Sequence, residues 1–140
     1  MQTLSTGEDV VVVLGPGEEI VASLLQAAEA HKIAGGVLSG LGSVSEVEIA
    51  FFDPGKKEYL SRTFQEPMEI GHLAGNFSRL EEQAHVHCHI VVAGTDMLAF
   101  TGHLVRGVVG TACEIYIRRL DRAVTRVRDA DLGFSPLKLP

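Results

Sequence analysis

Val10-Val11-Val12-Val13-Leu14 is an unbroken, largely β-branched apolar run, the pattern of a strand buried on both faces. Gly15-Pro16-Gly17 stops it. Glu18 and Glu19 then stand where the first turn of a helix sets carboxylates against the positive end of its dipole. Ile20, Val21, Leu24, Leu25, Ala27 and Ala28 recur at helical spacing as far as His31-Lys32, and Gly35-Gly36 closes the segment. No other stretch carries a convincing helical period. One helix with a single apolar stripe needs a sheet to pack on. That requirement restricts the fold more than any other feature of the chain.

The remainder reads as strands. Residues 36–43 are small and apolar, and residues 44–49 alternate before Phe51-Phe52. Asp53-Pro54-Gly55-Lys56 fits a type II turn, with Pro presetting φ and Gly at positive φ, so residues 57–64 pair back across it. A strand is expected over 68–76, a connecting loop over 77–83, and a hairpin of 84–93 with 98–105 about Gly94-Thr95-Asp96. Residues 108–120 and 123–127 complete the sheet, and the tail from Gly133 reads as irregular. There is no repeat, low-complexity tract or linker. The expectation is therefore an α+β fold: one compact domain over 1–140, with a mostly antiparallel β-sheet packed against one principal helix. A chain of this length buries roughly 70% of its unfolded surface, enough for a core without staples.

Charge narrows the partners. Twelve Lys+Arg against eighteen Asp+Glu leave a net charge of −6, which argues against nucleic-acid or anionic-membrane binding driven by bulk charge. The best basic cluster is Arg118, Arg119, Arg122, Arg126 and Arg128, but Asp121, Asp129 and Asp131 interrupt it, so a solvated or ion-paired face is the better reading. Two cysteines, Cys88 and Cys113, are too few for a disulfide framework. The N-terminus has neither a basic nor an apolar leader region, and no apolar stretch approaches ~20 residues, so a cytoplasmic location without membrane contact is expected. Gly15-Pro16-Gly17 is not a phosphate loop, because Glu18 and Glu19 would repel the anion. Gly40-Leu41-Gly42 lacks the third glycine and the helix of a dinucleotide site.

The chemistry lies in the histidines. His85, His87 and His89 alternate with Val86, Cys88 and Ile90, so on a strand the three imidazoles share one face and Cys88 takes the other. His103 follows Gly102 on the next strand. With a tight hairpin it is not expected directly opposite His87 or His89; a bulge at Gly102, a curved sheet or a neighbouring subunit would have to bring it close. Neutral imidazole is the commonest transition-metal ligand, and three histidines plus water make an open site rather than a closed structural one. Spacing alone leaves a solvated or hydrogen-bonded histidine face as the competing reading.

Several motifs in order are familiar. Met68-Glu69-Ile70-Gly71-His72-Leu73-Ala74-Gly75-Asn76-Phe77-Ser78 resembles the E-x-x-x-L-x-G-N-x-S segment of the plants and prokaryotes conserved (PPC) domain. His87-Cys88-His89-Ile90 resembles that family's H-x-H-[VI] strand, Thr101-Gly102-His103-Leu104 its G-G-H-L, and Thr111-Ala112-Cys113-Glu114-Ile115 its T-x-E-[VI] strand. Gly40-Leu41-Gly42 fits its early G-x-G. Thr101 departs from the pattern, standing where the family has glycine. The resemblance implies a homotrimer with a three-histidine metal site, zinc by preference, at the matching positions His87, His89 and His103; His85 lies outside the motif. Plant members join the domain to AT hooks, and bacterial members are often described as DNA-binding. No Arg-Gly-Arg-Pro core of an AT hook occurs here.

Two classes of function follow. One is a metal-binding homotrimeric domain with a regulatory or DNA-associated role. The other is a zinc-dependent hydrolase or lyase acting on a small anionic substrate, by analogy of fold with the three-histidine site of acetolactate decarboxylase. Glu69 is the candidate acid/base for the second, with a structural hydrogen bond as its plainer role. Arg106 could meet an anionic substrate but reads better as an exposed side chain. A purely structural metal, or none, is the third alternative.

Overall fold

The computed structural model describes residues 1–139. Among them, nine strands and one α-helix form a single sheet with a helix against it. The valine run becomes β2 (Asp9–Leu14), in which Val10, Val12 and Leu14 are fully buried. It is flanked by β1 (Gln2–Thr6), an exposed strand that the sequence reading did not anticipate, and by β7 (Ala99–Arg119). The helix α1 (Ile20–Ala30) buries Ile20, Leu24, Ala27 and Ala28 against β2, β6 (Gln83–Ala93) and β7. Its start is sharper than expected. Glu19 is the N-cap rather than a first-turn residue, and its carboxylate accepts from the backbone of Val21 (3.1 Å), Ala22 (2.6 Å) and Gly107 on β7 (3.0 Å). One side chain thus satisfies helix donors, at about 1 kcal/mol for a typical cap, and fastens the helix to the sheet.

Three long strands carry the architecture. β3 (Gly36–Asp53) pairs with β7 along one edge and with β4 (Glu58–Phe64) and β5 (Met68–Leu80) along the other. β6 then pairs with β5 on one side and with the start of β7 on the other. Because β7 also pairs with β3, the strands β3, β5, β6 and β7 close into a ring, and its interior is filled by residues such as Leu38, Val47, Leu73, Ile90 and Leu104. β8 (Thr125–Arg126) lies parallel to the end of β5 and carries β9 (Leu137–Lys138) on its free side.

Tight approaches inside the ring demand glycine. Gly42 sits at φ +150°, at a register shift between Gly40 and Gly42, and a Cβ there would stand 2.3 Å from the Ala112 carbonyl oxygen. A Cβ on Gly75 would lie 2.2 Å from the His87 carbonyl oxygen and 2.8 Å from Cys88 Sγ.

The expected α+β class, with a mostly antiparallel sheet and one helix, is the fold observed. Several boundaries differ. The loop expected over 77–83 shrinks to Glu81 and Glu82, both at positive φ, and β5 runs on through Ser78. The two strands read over 98–105 and 108–120 are one strand. The segment 123–127 keeps only two residues in β8, and the tail read as irregular supplies β9. In the β3–β4 connection the positive φ falls on Lys57 rather than Gly55, so the type II turn is not formed; the Asp53 carboxylate caps the turn instead, accepting from the backbone of Gly55 (2.8 Å) and Lys56 (3.2 Å). No helix among the described residues is long and apolar enough to cross a membrane.

Candidate metal centre

Strand parity delivers the imidazoles to one place. On β6, Val86 and Ile90 take the side opposite His85, His87 and His89, and Cys88 is buried in the core, where burial pushes its thiol up to about 12. His103 arrives more simply than expected. The connection between β6 and β7 occupies residues 94–98, which sets Ala93 against Ala99 and His89 directly against His103. No bulge intervenes in that ladder; the irregularity lies across the other edge of β7, between Glu48 and Ile49 of β3. Gly102 serves a different purpose, since a Cβ there would come 2.8 Å from the Ala50 carbonyl oxygen on β3.

Nitrogen atoms of His87, His89 and His103, one from each ring, lie within 4.8 Å of one another. The ring centroids are 5.0 Å apart for His87 and His103, 5.3 Å for His87 and His89, and 5.9 Å for His89 and His103. Nδ1 of His103 is buried and meets no hydrogen-bond partner, a state that costs about 1–3 kcal/mol if nothing binds there. A trio of borderline-soft nitrogen donors, one ring of which has an unpartnered nitrogen, fits a divalent transition metal. Burial, and then the charges of His103, Arg126, His89 and His85, hold the His87 imidazole down at about 4. Burial likewise lowers His103 and His85, reinforced by the neighbouring cationic groups. Such rings stay neutral, the form that ligates.

The trio opens onto a cavity of about 610 Å³. One wall is aromatic: Tyr59 stacks at 5.1 Å on His103, and Phe52 meets both Tyr59 (5.1 Å) and Phe134 (5.4 Å). His85 lines the same cavity but stands outside the converging trio. Arg126, only 9% exposed, lines the cavity as well, although its place in sequence groups it with the surface arginines. Its Nε donates to Ser78 Oγ (3.0 Å), Nη1 to the Ser135 carbonyl (2.8 Å), and Nη2 to Asn76 Oδ1 (2.9 Å) and toward His87 Nδ1 (3.3 Å). Asn76 and Ser78 are the cross-strand partners of His87 and His85, so the pairing of β5 with β6 puts them on the cavity side while Phe77 enters the core.

Glu69 is not brought to this site. It is exposed on β5 opposite Ala93, four residues along β6 from His89 and so roughly 13 Å away at a strand's rise of ~3.3 Å. There it borders a separate groove with Ser43, Met97 and Thr111. Arg106 pairs with Glu46 at the surface. Of the remaining arginine cluster, Arg118 pairs with Asp9, Arg128 with Glu81, and Arg119 donates to the Gly7 carbonyl. Only the composition of the G-N-x-S segment hinted at Arg126, because a polar pair alternating with a core phenylalanine asks for a polar partner.

The sequence matches the profile of the Plants and Prokaryotes Conserved (PCC) domain over residues 1–121. The chain belongs to the Plants and Prokaryotes Conserved domain family. Solved PCC-like structures resemble it closely. A candidate DNA-binding protein of Bacteroides thetaiotaomicron shares 31% identity at a TM-score of 0.94, over 98% of this chain and 96% of its own. A candidate DNA-binding protein of Ralstonia eutropha shares 27% at 0.91, over 99% and 96%. A metal-containing protein of Archaeoglobus fulgidus shares 29% at 0.88, over 96% of each. Among curated proteins none matches the chain. The histidine trio, Phe52 and Tyr59 lie within the matched residues, whereas Arg126 and Phe134 lie beyond them.

Proposed function

We propose that this PCC domain is a metal-binding homotrimeric protein in which His87, His89 and His103 hold a divalent transition metal, zinc by donor preference, and leave a coordination position facing the cavity. The convergence of ring nitrogens from the three histidines carries this reading, and the unpartnered Nδ1 of His103 accords with it. The metal-containing relative from Archaeoglobus fulgidus supports it. When bound, such a metal supplies a Lewis acid and an exchangeable ligand position. The chain's own part is to present neutral imidazoles, to keep the trio under an aromatic wall, and to set a cation beside it.

An apolar outer face supports the trimer. Leu4, Val11 and Tyr116 are aligned across β1, β2 and β7, with Val13, Val37 and Leu41 beside them; Leu4 and Tyr116 are each 62% exposed. A face of this kind is suited to self-association.

The candidate DNA-binding relatives suggest a DNA-associated role. This chain offers weaker support for it, since most of its arginines are committed to Asp9, Glu46, Glu81, backbone carbonyls and the buried cavity, while Arg62 lies over Phe64 and Phe100. A regulatory domain sensing a small ligand at the metal is the reading favoured by the geometry; a zinc-dependent hydrolase or lyase would use the same open position. Metal analysis of the purified protein, repeated on His87→Ala and His103→Ala, tests the core of the proposal. About one metal per chain is expected, falling at least tenfold in either variant while the fold persists. Full metal retention in both variants would overturn the assignment.

A further inference from the structure

We infer that Arg126 is an anion-binding residue, and that the ligand bridging it and the metal is a small carboxylate with an apolar or aromatic body; this rests on the metal reading above. Three observations lead there. The first is charge. With a divalent metal on three neutral imidazoles and the guanidinium beside them, the cavity carries three positive charges, and none of the residues lining it is acidic. A buried excess of charge of that size calls for an anion.

The second is the count of donors. A guanidinium has five N–H groups. Those of Arg126 make four contacts within the protein, to Ser78, Ser135, Asn76 and His87, leaving one on Nη1. The fourth contact is incompatible with metal ligation. A neutral imidazole has a single lone pair, and ligation uses it. If Nε2 of His87 ligates, Nδ1 carries a proton and faces the guanidinium donor to donor. If Nδ1 ligates, the lone pair is consumed directly. In either case an Nη2 N–H is released beside the metal. Two free N–H groups on one rigid guanidinium match the two oxygens of a carboxylate.

The third is shape. Asn76, Ser78 and the Ser135 carbonyl fix the guanidinium plane, so the fork is oriented before a ligand arrives. Around the same cavity, Phe51, Phe52, Tyr59 and Phe134 provide apolar surface with no charge to satisfy. A ligand with a carboxylate at one end and a ring or branched alkyl group at the other meets both kinds of lining.

The test is calorimetric titration of benzoate, with benzamide as the neutral isostere, into protein whose metal content has been measured, alongside metal-free protein. The metal-loaded wild type is expected to bind benzoate at least tenfold more tightly than benzamide, and at least tenfold more tightly than the metal-free chain does. Arg126→Met is expected to keep its metal and lose the preference for benzoate. Equal binding of the two probes by loaded wild type, or an unchanged preference in a folded Arg126→Met, would overturn the inference. Should that variant not fold, the side-chain NMR resonances of Arg126 in wild type decide: they shift with benzoate and not with benzamide if the inference holds, and stay still if it fails. Should the protein take up no metal, the preceding proposal fails separately, and the same resonances in the metal-free chain report on Arg126 alone.

Discussion

His87 shows how one residue joins the chemistry of the site to the stability of the chain. Its imidazole is held at about 4, chiefly by burial and then by neighbouring cations, while an unfolded histidine takes its proton near 6.5. The unfolded state therefore binds more protons between those values, so folding is favoured most fully above 6.5 and loses stability as the pH falls toward 4. His85 and His103, both lowered, act in the same direction. Thermal melts of metal-free protein should show a melting temperature that is flat above pH 6.5 and falls steadily below it; a rise on acidification would contradict the burial of these rings. At this scale the sequence was legible wherever side-chain alternation decides the outcome: His85, His87 and His89 share a face, and Cys88 turns inward. It was not legible for Arg126, because proximity in sequence to Arg118, Arg119, Arg122 and Arg128 grouped it with exposed charges. Only the parallel pairing of two residues of β8 with the end of β5 turns its side chain toward Asn76.

Among the elements, β5 and β6 position the candidate metal site through their mutual register, and at Gly75 the two strands approach closely. A Cβ at this position meets backbone and a buried sulfur, neither of which is the free end of a flexible chain. Gly75→Ala should therefore cost about 3 kcal/mol by overpacking and displace β6 at His87 and Cys88. Metal affinity should fall along with the melting temperature, although no ligand has been altered; a variant that loses stability and keeps wild-type affinity would show that the trio does not depend on this contact. The lengths of the elements explain what sequence reading could not see. Turn chemistry marked the start of α1 to within two residues, since Glu19 carries a local signal; its end falls at Ala30, with Lys32 at positive φ, before Gly35-Gly36, and Gly36 already opens β3. The fusion of the two segments of β7, and the reach of β5 past Ser78, depend instead on cross-strand partners that are distant in sequence. Glu69 illustrates the same limit: a motif placed it near the histidines along the chain, whereas strand rise carries it to another groove.

Taken as a whole molecule, the protein has two faces of different character. One carries the histidine cavity; the other carries the aligned Leu4, Val11 and Tyr116. If the proposed trimer forms through the second, introducing charge there, as in Tyr116→Asp, should shift the protein toward monomer in sedimentation velocity and leave any metal content of each chain unchanged. An unaltered sedimentation coefficient would place the contact between subunits elsewhere. The closed circuit of β3, β5, β6 and β7 has its own consequence, which concerns time rather than affinity. From His89 to Ala93, β6 is bonded along both edges, so the strand cannot peel away without breaking two ladders at once. Partial opening of this stretch is thereby disfavoured, and its amides should exchange with solvent hydrogen chiefly through complete unfolding. A metal held by the trio, as proposed, would then come and go through the mouth of the cavity, so its residence time would be set by what sits in that mouth and not by breathing of the chain.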